Sequence, residues 1–285
     1  MGELTGIAWT DSTMNWWEGC TKVGPGCDHC YAEARDHRFT GGAHWGPGAP
    51  RRLMSQHTRN NPSRWQRDAA AFMAEHGHPR RVFASSLADV FDNEVPDEWR
   101  AAAFTSMEAT PDLRWQICTK RVSNVAKMIP FTWYDGGASA WPRNVGLLIT
   151  VVTPAEIARD VPRLLELKRR FGIPWVGLSI EPMIAPVADA LRQLEHFAHV
   201  DWAIFGGESG THARDCHVAW IIDGVRACDD HGVKVFVKQL GAHVRMAGDT
   251  PYLDLQDAAG ADPAEWPVGY AWYLQRRDFP AALCV

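Results

Sequence analysis

The sequence predicts an α/β fold in which strands and helices alternate. Six short apolar runs rich in β-branched residues recur along the chain, and amphipathic segments lie between them. Strands that are joined by helical crossovers run parallel, in an open doubly wound sheet or in a barrel. Because about one helix follows each strand, the pattern favours a partial or complete (β/α) barrel of the TIM type.

Each predicted element depends on a local pattern. The strands are apolar runs at residues 81–86, 114–118, 145–150, 175–180, 201–205 and 233–237. The helices have one apolar face, and several begin after Thr-Pro, Val-Pro or Asp and end near Gly172 or Gly232. They are predicted at residues 96–109, 154–171, 187–197 and 219–231. A first strand is expected at residues 7–9 or 14–17, before the others.

The composition is that of an ordinary globular protein. The 285 residues are 46% hydrophobic and 22% charged, and the formal net charge of -5 gives no general attraction to nucleic acid. The longest apolar runs, such as residues 145–152, are far shorter than the roughly 18 residues of a membrane helix. The first five residues lack the basic and apolar regions of a secretory leader. We therefore expect a cytoplasmic protein with no membrane association.

The chain length fits one barrel or two small domains, and the repeated βα pattern favours a single barrel over residues 1–240. Residues 32–80 are irregular and too long for a simple crossover, so we expect an insertion there that forms a lid over the barrel mouth. Residues 241–285 are also aperiodic, and we expect them to pack on the barrel as a C-terminal extension.

Polar residues collect directly after the predicted strands. In a βα barrel the carboxyl ends of all strands face one mouth, so these side chains are expected to converge on one site. A lone Ser or Thr at such a place is ordinarily a cap or turn residue, whereas charges at the ends of buried strands need partners or ligands. The candidates are Ser85, Asp89, Lys120, Arg121, Glu181, Gly206, Gly207, Glu208 and Lys238.

The most informative segment is a Gly/Pro-rich loop in which Cys20, Cys27 and Cys30 have the pattern C-x6-C-x2-C. Three thiolates can hold a [4Fe–4S] cluster and leave its fourth iron without a protein ligand. The same residues can form a Cys3His zinc site with His29 or His37 as the fourth ligand. The spacing by itself leaves both readings open. The other cysteines are spread singly and receive no role: Cys118, Cys216, Cys228 and Cys284.

The surroundings of the loop favour the cluster. Structural zinc usually stabilises a small module that lacks a core, whereas this chain has ample apolar material of its own. The loop also follows the expected first strand, at the mouth where the polar strand ends gather. A cluster with one open iron at a barrel mouth resembles the architecture of radical S-adenosylmethionine (radical SAM) enzymes, although their usual spacing is C-x3-C-x2-C. The fold class is therefore expected to be a barrel of the radical SAM type.

Eight sequence blocks are similar to successive blocks of the phage Gp37/Gp68 family, in the same order across about residues 7–240. This family is largely uncharacterised and resembles a divergent radical SAM branch. The blocks are Ile7-Ala-Trp-Thr-Asp11, Gly19-Cys-Thr-Lys-Val23, Pro25-Gly-Cys-Asp-His-Cys-Tyr-Ala-Glu33, Ala88-Asp-Val-Phe91, Thr119-Lys-Arg121, Ser179-Ile-Glu-Pro182, Phe205-Gly-Gly-Glu-Ser-Gly210 and Val237-Lys-Gln239.

The resemblance to radical SAM enzymes implies a [4Fe–4S] cluster, SAM and an electron from a flavodoxin or ferredoxin. Asp89 is then the candidate for the methionine amino group, and Lys120 or Arg121 for its carboxylate. His29 and Tyr31 are expected to line the adenine or cover a sulfur. Catalytic roles are expected for Glu208, Glu181 and Lys120, and cofactor contacts for His29, Tyr31, Ser85, Asp89, Arg121, Gly206, Gly207 and Lys238.

Two substrate classes remain open, a nucleobase or nucleotide and a small metabolite or peptide. The first is suggested by the phage association of the family, by the fourteen tryptophans and by a locally basic segment that runs from Arg51 to Arg81. Two alternatives to the radical reaction also stay open. One is a zinc-stabilised barrel that binds nucleic acid, and the other is a hydrolase that uses Glu181 and Glu208 as paired carboxylates.

Overall fold

The structure is a computed structural model that describes residues 4–134 and 140–285. The expectation that no secretory leader is present concerns residues 1–5. Of these, residues 1–3 lie outside the described residues. The chain divides into two compact units. Unit 1 comprises Met1–Leu148, Glu166–Val176 and Ala281–Val285, and unit 2 comprises Ile149–Leu165 and Gly177–Pro280.

The strands are short, and most are bounded by helices. In chain order they are β1 (Ser12–Met14), β2 (Trp17–Glu18), β3 (Arg52–Leu53), β4 (Arg81–Ala84), β5 (Arg114–Thr119), β6 (Val145–Thr150), β7 (Val176–Ile180), β8 (Trp202–Gly206), β9 (Cys216–His217), β10 (Lys234–Gln239) and β11 (Val244–Arg245).

The α-helices range from single turns to five turns. They are α1 (Tyr31–Thr40), α2 (Gln56–Arg59), α3 (Asn61–Arg67), α4 (Ala69–His76), α5 (Asp97–Glu108), α6 (Val122–Met128), α7 (Pro154–Phe171), α8 (Ala188–Arg192), α9 (Val218–Asp229) and α10 (Ala271–Leu274). Short 3-10 helices occupy Pro25–Cys27, Phe131–Trp133, Phe197–His199, Pro263–Glu265, Val268–Tyr270 and Ala281–Leu283.

The main sheet has seven strands in the order β1-β4-β5-β6-β7-β8-β10. The pairs β1–β4, β4–β5, β7–β8 and β8–β10 are parallel. Because β1 and β10 stand at opposite ends of this order, the sheet is open. The predicted α/β class, in its partial-barrel form, is confirmed. Two small sheets accompany it, an antiparallel pair of β2 and β3 and a parallel pair of β9 and β11.

All six predicted strands are present. The first strand lies at Ser12–Met14, between the two expected ranges 7–9 and 14–17, and shares only Met14 with the second. The helices predicted at 96–109, 154–171 and 219–231 are present as α5, α7 and α9, and glycines with positive φ follow two of them, Gly172 at 64° and Gly232 at 72°. The helix predicted at 187–197 is shorter. It ends at Arg192, and His196 takes a left-handed φ of 65° before a 3-10 turn.

The core of unit 1 consists of apolar side chains from β4, β5 and α5. Trp115 and Ile117 of β5 are fully buried, as is Phe104 of α5. On β6, the indole of Trp175 lies so close to Gly146 that a Cβ there would be 1.8 Å from the ring. Only glycine fits at this position.

The segment predicted as an insertion, residues 32–80, is mostly helical and belongs to unit 1. It contains most of α1, all of α2, α3 and α4, and β3, which pairs with β2. Its apolar side chains Trp65 and Phe72 are buried, and the guanidinium of Arg80 lies over both rings. The insertion is thus a packed layer with its own core. Its role as a lid stays a prediction.

In unit 2, α9 packs against β8, because a Cβ on Gly224 would be 2.5 Å from the ring of Phe205. The C-terminal extension pairs with β10. The Val237 amide donates to the Arg276 carbonyl and the Asp278 amide to the Val235 carbonyl, both at 2.9 Å. The extension thus satisfies backbone groups of β10, at one end of the sheet order.

No helix among the described residues combines the length and the apolar character needed to cross a membrane.

Candidate metal centre and strand-end charges

The three cysteines of the predicted metal site lie on one loop of unit 1. Cys20 follows β2, Cys27 ends a 3-10 turn, and Cys30 is the N-cap residue of α1. All three are half-buried and none forms a disulfide.

Backbone geometry holds the start of this loop. Gly19 has a φ of 105°, and a Cβ there would be 2.4 Å from the carbonyl oxygen of His44. The Cys20 carbonyl accepts a hydrogen bond from the Gly46 amide at 2.9 Å. Within the loop, the Lys22 ammonium donates to the Asp28 carbonyl at 3.1 Å and pairs with Glu33 at 2.9 Å.

A buried arginine connects the loop to the strand ends. Arg121, which is 8% exposed, donates from Nη1 to the Sγ of Cys20 at 3.4 Å and from Nη2 to the Thr21 carbonyl at 2.8 Å. The same guanidinium pairs with Asp89 at 3.2 Å and with Asp92 at 3.5 Å. One side chain therefore joins two consecutive loop residues to two carboxylates after β4.

Asp89, the candidate for the amino contact, is fully engaged. Its Oδ1 accepts from the Phe91 amide at 2.9 Å and from the Thr119 hydroxyl at 2.8 Å. Its Oδ2 accepts from the Lys120 amide at 3.0 Å and pairs with Arg121. Asp89 ties the end of β4 to the end of β5, and its predicted contact with SAM requires that one of these partners leave.

A second buried arginine belongs to the same network. Arg51 bonds to Asp92 at 2.8 Å, to Glu94 at 2.6 Å and to the Thr21 hydroxyl at 2.7 Å. The Glu94 carboxylate also accepts from the Gly48 amide at 3.0 Å, which lowers the pKa of Glu94 further than its pairing with Arg51 does. The segment between α1 and β3 is fastened to the cysteine loop at this point.

The basic segment expected to attract a polyanion has three buried arginines, whereas Arg67 is exposed. Arg51, Arg80 and Arg81 are 7%, 7% and 8% exposed. Arg52, although its side chain is half-exposed, pairs with Glu18. The Arg59 side chain donates to the Met54 carbonyl at 3.0 Å.

Charge and burial act in opposite directions on the thiols and on the cation beside them. Burial raises the pKa of the Cys20 thiol to about 11, and the positive charge of Arg121 partly opposes this. For Lys120, burial lowers the pKa, but the negative charges of Cys118, Cys27 and Cys30 outweigh it and the net shift is upward. The Lys120 ammonium is thus electrostatically coupled to the cysteine loop. Metal binding to Cys20 must displace a proton.

The donor set fits a cluster better than a single zinc ion. Zn–S bonds of about 2.3 Å in a tetrahedron place the sulfurs about 3.8 Å apart. Among the described residues, Cys20, Cys27 and Cys30 do not form a group whose ligand atoms all lie within 4.8 Å of one another. A cluster distributes its thiolates over separate irons and so tolerates wider spacing. The Ser85 hydroxyl after β4 is 2% exposed and has no hydrogen-bond partner in the described structure, which leaves a donor for a ligand.

The two aromatic candidates beside the cysteines differ in their contacts. Tyr31 donates its hydroxyl to the Ser86 carbonyl at 2.5 Å while the residue as a whole is 57% exposed. His29 is exposed on the loop. Tyr31 therefore presents a fixed ring to solvent, next to Cys30.

In unit 2, the strand-end charges form two separate ion pairs. Lys238, near the end of β10, pairs with Glu181, which follows β7, at 3.0 Å. Glu208 accepts three hydrogen bonds from Arg214, from the backbone amide at 2.8 Å, from Nε at 2.9 Å and from Nη2 at 2.6 Å. Each carboxylate of the hydrolase alternative is therefore paired with its own cation.

The Gly206-Gly207 segment has a packing role in unit 2. A Cβ on Gly207 would be 1.9 Å from the carbonyl oxygen of Leu240, and one on Gly206 would be 3.1 Å from Oε2 of Glu181. The Gln239 side chain donates to the Gly207 carbonyl at 2.8 Å. Gly207 therefore lets the chain after β10 approach the chain after β8, and Gly206 leaves space for the Glu181 carboxylate.

Sequence reasoning missed three residues of the network around the loop: Thr21, Asp92 and Glu94. It also missed the buried cluster of Glu18, Asp36 and His44, whose ligand atoms lie within 4.8 Å of one another. Arg35 and Arg52 both pair with Glu18, which balances the charge of that cluster. In the sequence, Asp92 and Glu94 are marked only by their position directly after Ala88-Asp-Val-Phe91, one of the blocks similar to the Gp37/Gp68 family.

The fold and the loop define an α/β protein with an open parallel sheet and a three-cysteine loop after its first strand. The chain belongs to the family described as "Protein of unknown function (DUF5131)", whose model matches residues 4–270. The similarity to Gp37/Gp68 blocks remains a resemblance. Curated proteins gave no match.

Two solved structures share similarity with the chain. One is spore photoproduct lyase complexed with dinucleoside spore photoproduct, with 12% identity and a TM-score of 0.41 over 75% of this chain. The other is a double mutant of spore photoproduct lyase with bound AdoMet and dinucleoside spore photoproduct, with 13% identity and a TM-score of 0.41 over 77% of this chain. The match spans 60% and 59% of those two chains.

Proposed function

We propose that this protein is a radical SAM enzyme in which Cys20, Cys27 and Cys30 hold a [4Fe–4S] cluster with one open iron. The observation that carries the proposal is the loop itself, with three half-buried thiols outside any disulfide and a buried arginine that donates to the first sulfur. The chemistry supplied there is reductive cleavage of SAM, which gives a 5′-deoxyadenosyl radical that takes a hydrogen from substrate.

The residues of unit 1 divide into those that hold the loop and those that meet a ligand. Arg121 and Asp89 have their bonding groups engaged within the protein, so they hold the loop. Lys120 is coupled to the same thiols and is half-buried, so it is our candidate for the methionine carboxylate. The Ser85 hydroxyl, which lacks a protein partner in the described residues, and the exposed ring of Tyr31 are candidates for further SAM contacts.

In unit 2, Glu181 and Lys238 are the candidates for contacts with a polar ligand. The Lys238 side chain is 27% exposed and that of Glu181 is 14% exposed, so solvent reaches their ion pair. Glu208 is 6% exposed and held by three bonds from Arg214, which favours a positioning role for it. Gly207 is needed for the close approach of the backbone at Leu240, and Gly206 leaves space for the side chain of Glu181.

The substrate class we favour is a nucleobase or nucleotide, with a small metabolite or peptide as the other candidate. The burial of Arg51, Arg80 and Arg81 removes three cations from the surface expected to guide a polyanion. A free nucleotide therefore fits the protein better than a long nucleic acid. The electron is expected to come from a flavodoxin or ferredoxin.

The test is anaerobic purification and reconstitution with iron and sulfide, followed by metal analysis, visible spectroscopy and EPR of the reduced protein. We expect close to four irons per chain, a brown colour and a reduced-state EPR signal. The reduced protein with SAM is then expected to form 5′-deoxyadenosine, measured by mass spectrometry, whereas Cys20→Ala forms none. A colourless protein with one zinc and no iron would contradict the proposal and support a structural zinc site.

A further inference from the structure

We propose that Arg121 sets the reduction potential of the cluster through its hydrogen bond to the sulfur of Cys20. The inference rests on the proposed function, because it needs a cluster on Cys20, Cys27 and Cys30. It goes further by giving Arg121 a positioning and tuning role in place of direct contact with SAM.

The geometry joins the guanidinium to the sulfur and fixes it there. The 3.4 Å distance from Nη1 to the Cys20 sulfur is a normal N–H···S separation, and Nη2 donates to the next residue, Thr21, at 2.8 Å. Asp89 and Asp92 pair with the same guanidinium and are 6% and 2% exposed. The Arg121 guanidinium donates to two loop residues and pairs with two carboxylates. It therefore has little freedom to rotate away from the Cys20 sulfur.

A donor held in this way affects the two oxidation states unequally. The reduced cluster carries one more negative charge, so an N–H···S bond from a cation stabilises it more than the oxidised cluster. The low exposure of Arg121 keeps water from screening this difference. Because Asp89 and Asp92 offset the single positive charge of Arg121, and Asp92 is shared with Arg51, the directed hydrogen bond contributes more than the bare charge of Arg121. We therefore expect Arg121 to raise the potential and ease delivery of the electron.

Arg51 is the matched control for this role. It is buried to the same degree, pairs with the same Asp92 and donates to the same Thr21, but its bonds go to oxygen atoms. A change at Arg51 therefore loosens the network around the loop without removing the bond to the Cys20 sulfur. Variants of the two arginines therefore distinguish an effect on the position of the loop from an effect on the reduction potential of the cluster.

The experiment is a potentiometric EPR titration of the reconstituted wild type and of Arg121→Gln, Arg121→Lys and Arg51→Lys, with iron content and thermal unfolding measured for each. In Arg121→Gln we expect the ratio of reduced to oxidised cluster at a fixed potential to fall about tenfold, which is about 59 mV for a one-electron couple. Arg121→Lys is expected to shift in the same direction by less, and Arg51→Lys to lose stability while keeping the wild-type potential.

Equal potentials in the wild type and both Arg121 variants would overturn the inference, as would an equal shift in Arg51→Lys. If Arg121→Gln fails to retain iron, the double variant Asp89→Asn with Arg121→Gln removes one charge of each sign and carries the same expectation. A wild type without a cluster would instead refute the proposed function, so the two failures are distinguishable.

Discussion

The charges after the strands differ between the two units. In unit 1, Asp89 and Arg121 are 6% and 8% exposed, and each has several partners on other segments. In unit 2, the Glu181–Lys238 pair is partly open to solvent and connects only two strand ends. Both sets follow the same sequence rule, a charge at the end of a buried strand. A charge that is buried and fully bonded holds the scaffold, whereas a partly exposed pair is able to exchange its partner for a ligand.

The largest effect is expected at the cysteines. Alanine at Cys20, Cys27 or Cys30 should remove most bound iron and the reduced-state EPR signal, because three thiolates leave no spare ligand. Iron analysis after reconstitution measures this. Cys284→Ala is the matched control, since that residue is exposed and outside the loop, and it should keep its iron. Full iron content in any of the three loop variants would remove that cysteine from the site.

The next effect separates the two kinds of charge. Asp92 lies between Arg51 and Arg121 and is 2% exposed, so Asp92→Ala leaves two buried cations short of a partner. We expect the free energy of unfolding to fall by about 3–5 kcal/mol, measured by urea denaturation of the metal-free protein. As a control, Asp189→Ala removes a carboxylate whose side chain is 92% exposed and should change nothing measurable. An equal change in the free energy of unfolding for Asp92→Ala and Asp189→Ala would contradict the distinction between buried and exposed ion pairs.

A smaller loss of stability is expected in unit 2. Lys238→Met breaks a partly exposed pair with Glu181 and should cost about 1–2 kcal/mol, between the limits for surface and buried pairs. Its effect on the formation of 5′-deoxyadenosine should be larger, a loss of at least about tenfold if the pair contacts a ligand. The same assay on Glu181→Gln tests the role of the carboxylate in this ion pair. A Lys238 variant as unstable as Asp92→Ala, with normal turnover, would assign this pair to the scaffold.

The smallest effect concerns pH. The Gly48 amide, followed by the charge of Arg51, lowers the pKa of Glu94 below its ordinary value of 4.5. A carboxyl with a lower pKa in the folded state contributes stability above its unfolded pKa and loses it as the pH falls through the folded pKa. Glu94→Gln should therefore be less stable than wild type at pH 6, and this difference should disappear as the pH falls through the lowered pKa of Glu94 in the folded protein. Urea denaturation from pH 3 to 6 measures it, and a constant difference would point to a lost contact that does not titrate.

The sequence by itself determined six of the seven strands of the main sheet, the long helices α5, α7 and α9, and the cysteine loop. Each is a local pattern, such as the apolar run of β6 or the C-x6-C-x2-C spacing of Cys20, Cys27 and Cys30. Burial of an apolar run is a property of the segment itself, since water disfavours exposing it in almost any arrangement. The same reasoning placed the charged candidates Asp89 and Arg121 at strand ends.

Only the tertiary structure decided what those charges do. Arg51 reads as a surface cation in a basic segment, yet it is buried because Asp92 and Glu94, more than 40 positions away, accept its hydrogen bonds. Arg121 bonds to the Cys20 sulfur across 101 positions of the chain. An arginine is able to bond to any carboxylate, carbonyl or thiolate that comes within reach, so its partner is set by how the segments pack and not by its neighbours in sequence.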